Sequence, residues 1–128
     1  MKRIINNLPN RALSNYDLIK YVKLLKIKKF RGVFMRHNLP KKIFTTECGI
    51  INLDNNIGTH WTAYIRVKSK VVYFDSFGNL RPPLEVLKYF RSNGFVKIMY
   101  NYSRYQKFNS INCGHLCLKF LINNTILF

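Results

Sequence analysis

The tightest constraint in this chain is the stretch WTAYIRVKSKVVYF, residues 61 to 74. Two runs rich in β-branched and aromatic residues flank Lys68-Ser69-Lys70, which predicts an antiparallel hairpin with strands at Trp61–Val67 and Val71–Phe77. A two-residue turn at Lys68-Ser69 pairs Val67 with Lys70, Ile65 with Val72 and Ala63 with Phe74, and a four-residue loop keeps the same register. Side chains alternate across a strand, so Trp61, Ala63, Ile65, Val72 and Phe74 share one face, a core face, and Thr62 lies opposite Asp75. His60 shares the face of Thr62, two residues earlier. His60 and Asp75 are then diagonal neighbours at the open end of the hairpin. Diagonal positions lie about 7–8 Å apart, within reach of a histidine–carboxylate hydrogen bond.

A carboxylate beside an imidazole fixes its tautomer and stabilises the imidazolium. Such a pair calls for a nucleophile, and Cys113 stands in the right context, NSINCGHLCLKFL. A polar loop ends there and an apolar helix begins. The positive end of the helix dipole favours thiolate. Gly114 leaves room for a substrate carbonyl, and the Cys113 backbone N–H can face a developing oxyanion. Gln106, in the polar loop upstream, offers a side-chain N–H to the same hole.

The rest of the chain reads as a frame for these residues. Residues 1–12 are basic and predict a flexible arm. Ser14 or Asn15 caps a helix with Asp17 in its first turn, running to about Leu25. FRGVFMRHNLPKK reads as a loop, Glu47–Leu53 as a strand and FGNLRPP as a loop. Leu84–Phe90 reads as a helix with Leu84 and Leu87 on one face, which can extend to Phe90; Phe95–Tyr100 reads as a strand, and Cys113–Ile122 as an apolar helix. The length of 128 residues suits one domain, 1–128, of class α+β with a mixed or antiparallel central sheet.

Charge and cysteine use narrow the setting. The net charge is +17, from 22 Lys and Arg against 5 Asp and Glu, which points to a polyanionic partner. The expected nucleic-acid-binding residues are Lys2, Arg3 and Arg11 in the arm and Lys23, Lys26, Lys28, Lys29 and Arg31 in the following cluster. The three cysteines include Cys48 and Cys117, both read as buried core thiols. A zinc site drawn through Cys113, His115, Cys117 and Cys48 splays its ligands, and no metal is expected. No apolar run approaches the roughly 20 residues that span a bilayer, and the N-terminus has no apolar signal region, so an intracellular protein that avoids membranes is expected.

The motifs GTHWTAY, YFDSFG and Q-x6-CG, in that order, resemble the adenovirus-type cysteine proteases, the adenain family. The matching positions are His60-Trp61, Asp75, Gln106 and Cys113-Gly114; ECGIINLDNNIGTHW and FRGVF are similar to further elements of the family. Asp75 stands where the best-known members carry Glu. The resemblance implies a papain-like α+β fold, a mixed sheet packed on a helix that starts at the nucleophile, with catalysis by Cys113, His60, Asp75 and Gln106. It implies a viral or virus-derived maturation protease that cleaves capsid precursor proteins, in a host nucleus or virion; a monomer is expected. It also implies chemistry that needs no cofactor, with DNA or a basic peptide as activator. The rival readings are a protease of ubiquitin-like modifiers and a non-catalytic nucleic-acid module on the same fold, for which the 15% aromatic content suits base stacking.

Overall fold

The computed structural model describes residues 2–53, 60–104, 112–126 and 128. The elements in chain order are α1 (Lys2–Asn6), α2 (Asn15–Leu24), β1 (Phe30–Met35), β2 (Thr46–Asn52), β3 (Trp61–Val67), β4 (Lys70–Phe74), α3 (Leu84–Phe90), β5 (Lys97–Tyr100) and α4 (Cys113–Thr125). The class is α+β. The five strands form one mixed sheet in the order β1-β2-β3-β4-β5. The inner pairs β2/β3 and β3/β4 are antiparallel, and the outer pairs β1/β2 and β4/β5 are parallel.

The hairpin register is Val67 with Lys70, Ile65 with Val72 and Ala63 with Phe74, as the alternation predicts. Lys68 takes a left-handed conformation (φ 55°) to close the turn. Both faces of the hairpin are buried, however. Trp61, Ala63, Ile65 and Phe74 join Cys48 and Ile50 in a cluster closed by Leu18, Val22 and Leu25 near α2 and by Cys117, Leu118 and Leu121 of α4. Tyr64, Val71 and Tyr73 join Ile51 in a second cluster closed by Val86, Tyr89 and Phe90 of α3. The sheet is therefore the middle layer of three.

The helices follow from local chemistry. Ser14 caps α2 in a capping box with Asp17, each side chain accepting a backbone N–H of the other residue. Helix α3 starts after Pro82-Pro83 and carries the chain from β4 to the parallel strand β5, the kind of crossover such a pair requires. It buries Val86, Tyr89 and Phe90; of the expected face Phe90 is buried, Leu87 is half-buried and Leu84 is exposed.

Two further expectations are corrected. FRGVFM is strand β1, not loop, paired parallel to β2 with a register shift between Phe30 and Val33. The basic arm is not loose over its first residues. Lys2–Asn6 is helical, and Ile4, Ile5 and Leu8 pack on the cluster beside α4, because burying three apolar side chains offsets the cost of ordering the segment. The second hairpin strand stops at Phe74, where Asp75 begins a turn.

Candidate active site

The open end of the hairpin meets the N-terminus of α4. His60 Nε2 lies 2.8 Å from Asp75 Oδ1, so the diagonal pair inferred from the register is made. Cys113 is the first residue of α4, a 13-residue helix with no acidic residue in its first turn to oppose its dipole. The Trp61 backbone N–H donates to Cys113 Sγ at 3.5 Å. With Nε2 on the carboxylate, Nδ1 is the ring nitrogen left for the hydrogen bond between His60 and Cys113.

Asp75 is held from several sides. Its Oδ1 also accepts the Phe77 N–H at 3.0 Å. Its N–H donates to Asn101 Oδ1 at 2.9 Å, and Asn101 Nδ2 donates back to the Asp75 carbonyl at 2.7 Å. Asp75 is buried, while His60 retains some access to solvent. The His60 ring lies flat on Phe77, with centroids 4.2 Å apart and planes 2° apart.

The titration behaviour follows from this geometry. Burial alone would pull His60 down, but hydrogen bonds to Asp75 and Cys113 outweigh it and hold the imidazole at about 9. Burial opposes the Cys113 thiolate. The hydrogen bond from His60, the Trp61 N–H, the imidazolium charge and the Gly114 N–H outweigh it and hold the thiol below its ordinary range. Cys48 and Cys117 move the other way: burial pushes Cys48 up to about 12 and Cys117 well above the thiol range. Of the three thiols, Cys113 alone is shifted toward the thiolate.

A cleft shares Trp61 with this site. Its volume is about 330 Å³, and it is lined by Leu13, Val33, Phe34, Met35, Asn52 and Trp61, among other residues. Trp61 forms its wall and is itself buried, its indole N–H donating to the Leu13 carbonyl at 2.8 Å. Gly114 packs so closely that a Cβ there would lie 3.2 Å from Leu13 and 3.3 Å from the Trp61 ring.

His60, Asp75 and Cys113, expected from the sequence, are therefore brought together; Gln106 lies outside the described residues. Sequence reasoning missed Asn101, Phe77 and the Trp61 N–H. Phe77 alone carried a signal, as the aromatic of a D-S-F-G turn two residues after the acid. Among the described residues no group of three or more His, Cys, Asp or Glu side chains is placed to hold a metal. No helix among them is long and apolar enough to cross a membrane.

A group of basic residues lies elsewhere. The backbone of Cys48 bonds the Lys29 carbonyl, the Lys68 N–H bonds Thr45, and the Lys97 N–H bonds Ser69. These links place Lys29, Lys68, Lys70 and Lys97, all exposed, at the end of the sheet opposite His60. Lys26, Lys29 and Lys68 hold left-handed backbone there (φ 55°, 60° and 55°), where asparagine or glycine is easier. Lys23, Lys26 and Lys28 are exposed, as is Arg3; the Lys2 side chain lies outside the description. Two of the expected nucleic-acid-binding residues are already engaged. Arg11 makes a two-pronged pair with Asp17, and Arg31 binds buried Glu47 at 2.9 Å while lying over the Phe44 ring.

No family model matches the chain, and no curated protein matches it in sequence. Among solved structures it is similar to the SUMO protease Ulp1 with its catalytic cysteine oxidized to a sulfinic acid, at 18% identity and a TM-score of 0.46. The match covers 98% of this chain and 62% of that one, so this chain spans less than two thirds of that neighbour.

Proposed function

We propose that the chain is a cysteine endopeptidase with the papain-like arrangement that its adenain-type motifs imply. The observation that carries this reading is the Cys113 thiol at the start of α4, lowered by an imidazole that Asp75 holds. The Cys113 thiolate attacks the scissile carbonyl carbon, and the oxyanion is met by backbone N–H groups at the start of α4 and by the Gln106 side chain. His60 protonates the leaving amine as the tetrahedral species collapses to a thioester. Water, deprotonated by His60, then attacks the thioester, and the Cys113 thiolate leaves. No cofactor takes part in these steps.

Mass mapping after brief exposure to a haloacetamide tests the site. Cys113 is expected to be labelled at least about a hundredfold faster than Cys48 or Cys117, because thiolate rather than thiol reacts. Equal labelling of the three in folded protein would remove Cys113 from its role.

The substrate is a protein under either finer reading. The motif resemblance favours a viral capsid precursor, cleaved in a host nucleus or virion; a ubiquitin-like modifier, commonly an acidic partner, suits the surplus positive charge. Turnover of a capsid-precursor peptide set against a modifier fusion, on one preparation, separates the two.

The lysines at the far end of the sheet favour a second role for the same chain, sequence-tolerant binding of nucleic acid. Lysine kept in strained backbone positions supports a use for its charge. Replacing Lys28, Lys29, Lys68 and Lys70 with glutamine is expected to reduce the slope of log affinity against log salt by about 0.9 for each phosphate no longer neutralised. Cleavage of a short peptide without nucleic acid is expected to stay within about twofold, and any stimulation by DNA to disappear. Wild-type binding that ignores salt would assign the charge to a protein partner instead.

A further inference from the structure

The turn after β4 is built more carefully than a loop requires. The Gly78 N–H closes it on the Asp75 carbonyl at 2.9 Å, and Gly78 has φ +80°, a conformation that favours glycine. A Cβ at Gly78 would lie 2.6 Å from the Ser103 carbonyl oxygen, so the turn is pressed against the chain that follows β5. Asn101 ties that chain back through hydrogen bonds to the Asp75 N–H and to the carbonyls of Asp75 and Ser103. The residue fixed at the centre of the turn is Phe77. Its N–H holds Asp75 Oδ1, and its ring lies flat beneath His60. One residue thus touches both the imidazole and the carboxylate that orients it.

We propose that Phe77 is a positioning residue for His60: its ring is the platform on which the imidazole stacks, steering Nδ1 toward Cys113 and favouring the protonated ring. The proposal rests on the reading of His60 and Cys113 as base and nucleophile and adds a residue to it. A flat cation lying over an aromatic face gains electrostatic attraction that the neutral ring lacks, and the gain is larger where water is excluded. The stack also limits the tilt of the ring, adding a flat contact to its hydrogen bonds with Asp75 and Cys113. The ionisable groups that act on His60 among the described residues are Asp75, at the end of β4, and Cys113, at the start of α4. Phe77 itself is uncharged, so an aliphatic side chain there removes the stack without removing a charge.

The test is a titration of His60 by NMR, assigned by its loss in His60→Gln, alongside peptide turnover and haloacetamide labelling. In the wild type the His60 ring protons are expected upfield of those of His37 and His115, shifted by the ring current of Phe77. Phe77→Leu is expected to remove that upfield shift, lower the His60 midpoint by about half to one pH unit, and reduce kcat about three- to tenfold with KM little changed. Phe77→Tyr keeps a ring in place and is expected to restore all three readouts to within about twofold of wild type. A wild-type His60 without the upfield shift overturns the proposal even if Phe77→Leu fails to fold. So does a folded Phe77→Leu with the wild-type midpoint and kcat. A wild type whose Cys113 is labelled no faster than Cys117 overturns the endopeptidase reading, and this proposal with it; that outcome is read from labelling alone and is distinct from a failure of the stack.

Discussion

Replacing Cys113 with alanine is expected to lower peptide hydrolysis by about four orders of magnitude or more while leaving the melting temperature within a few degrees of wild type. The side chain removed is small, and the groups around it, Trp61 and Leu13, are held by their own hydrogen bond. His60→Ala is expected to be nearly as severe, because the thiol then loses both its hydrogen bond and the imidazolium charge that lower it. Asp75→Asn is expected to cost about 10- to 100-fold, since an amide oxygen can still accept from the Phe77 N–H and orientation is partly kept. The pH profile distinguishes the variants. His60 is raised from 6.5 to about 9, so the charge pair and its contribution to folding stability are fully present below about 6.5 and are lost as pH rises through about 9. Wild-type kcat/KM is therefore expected to fall on an alkaline limb near pH 9, and Asp75→Asn to move that limb to lower pH. If Asp75→Asn proved as inactive as Cys113→Ala with the fold intact, the carboxylate would have to do more than orient.

Glu47→Ala is expected to be the most damaging single change to the fold outside the site. The carboxylate is 1% exposed on β2, yet it accepts from Arg31 at 2.9 Å, from the Phe44 N–H at 2.7 Å, from the Tyr89 hydroxyl at 2.6 Å and from the Tyr64 hydroxyl. Gly49, the next residue on the same face, makes room for this arrangement, since a Cβ there would lie 2.7 Å from the Tyr64 ring. Alanine at 47 leaves a half-buried guanidinium, two buried hydroxyls and a backbone N–H without their acceptor, a loss of about 3–5 kcal/mol. For a domain of this size that is a fall of roughly 10–20 °C in melting temperature, measurable by calorimetry or urea titration. Glu47→Gln keeps one acceptor oxygen and is expected to cost less than half as much. Glu47 lies toward the hairpin turn, opposite Arg66 and away from His60, so the surviving folded fraction of either variant should hydrolyse peptide at the wild-type rate per molecule. A cost below about 1 kcal/mol for Glu47→Ala would show that the network does not hold this end of the sheet.

What the sequence disclosed depended on how strongly each segment repeats. The hairpin was legible to the residue because period-two alternation and a short polar turn leave one register. That register alone brings His60 to Asp75. The start of α4 was legible because polarity changes abruptly at Cys113. Strand β1 was not: FRGVFM does not alternate, and in the fold it is only partly buried from Phe30 to Phe34, with Met35 exposed. The face of α3 was misread in part, for a different reason. In LEVLKYF both Leu84-Leu87 and Val86-Tyr89-Phe90 are apolar, and the choice belongs to the sheet, whose far face offers Tyr64, Val71 and Tyr73 to be covered. Helix α1 was hidden behind its lysine and arginine, although Ile4 and Ile5 supply its packing. Within the site, side chains paired by strand register could be read, while Asn101 and Phe77 act through turns that leave no periodic trace.

The distance of Lys29, Lys68, Lys70 and Lys97 from Cys113 has an electrical consequence. Strand β3 spans Trp61–Val67 between the two ends of the sheet, a run of about 20 Å at the usual rise per residue. The screening length at physiological ionic strength is about 8 Å. A surplus of +17 spread evenly over the surface would press on every imidazolium and favour every thiolate, and would make both respond to salt. Lys29, Lys68, Lys70 and Lys97 stand beyond the screening length from Cys113, whose thiol is governed at short range by His60 and by the Trp61 and Gly114 N–H groups. Salt is therefore expected to screen these four lysines while leaving the His60–Cys113 pair little changed, which labelling of Cys113 at low and high ionic strength would measure.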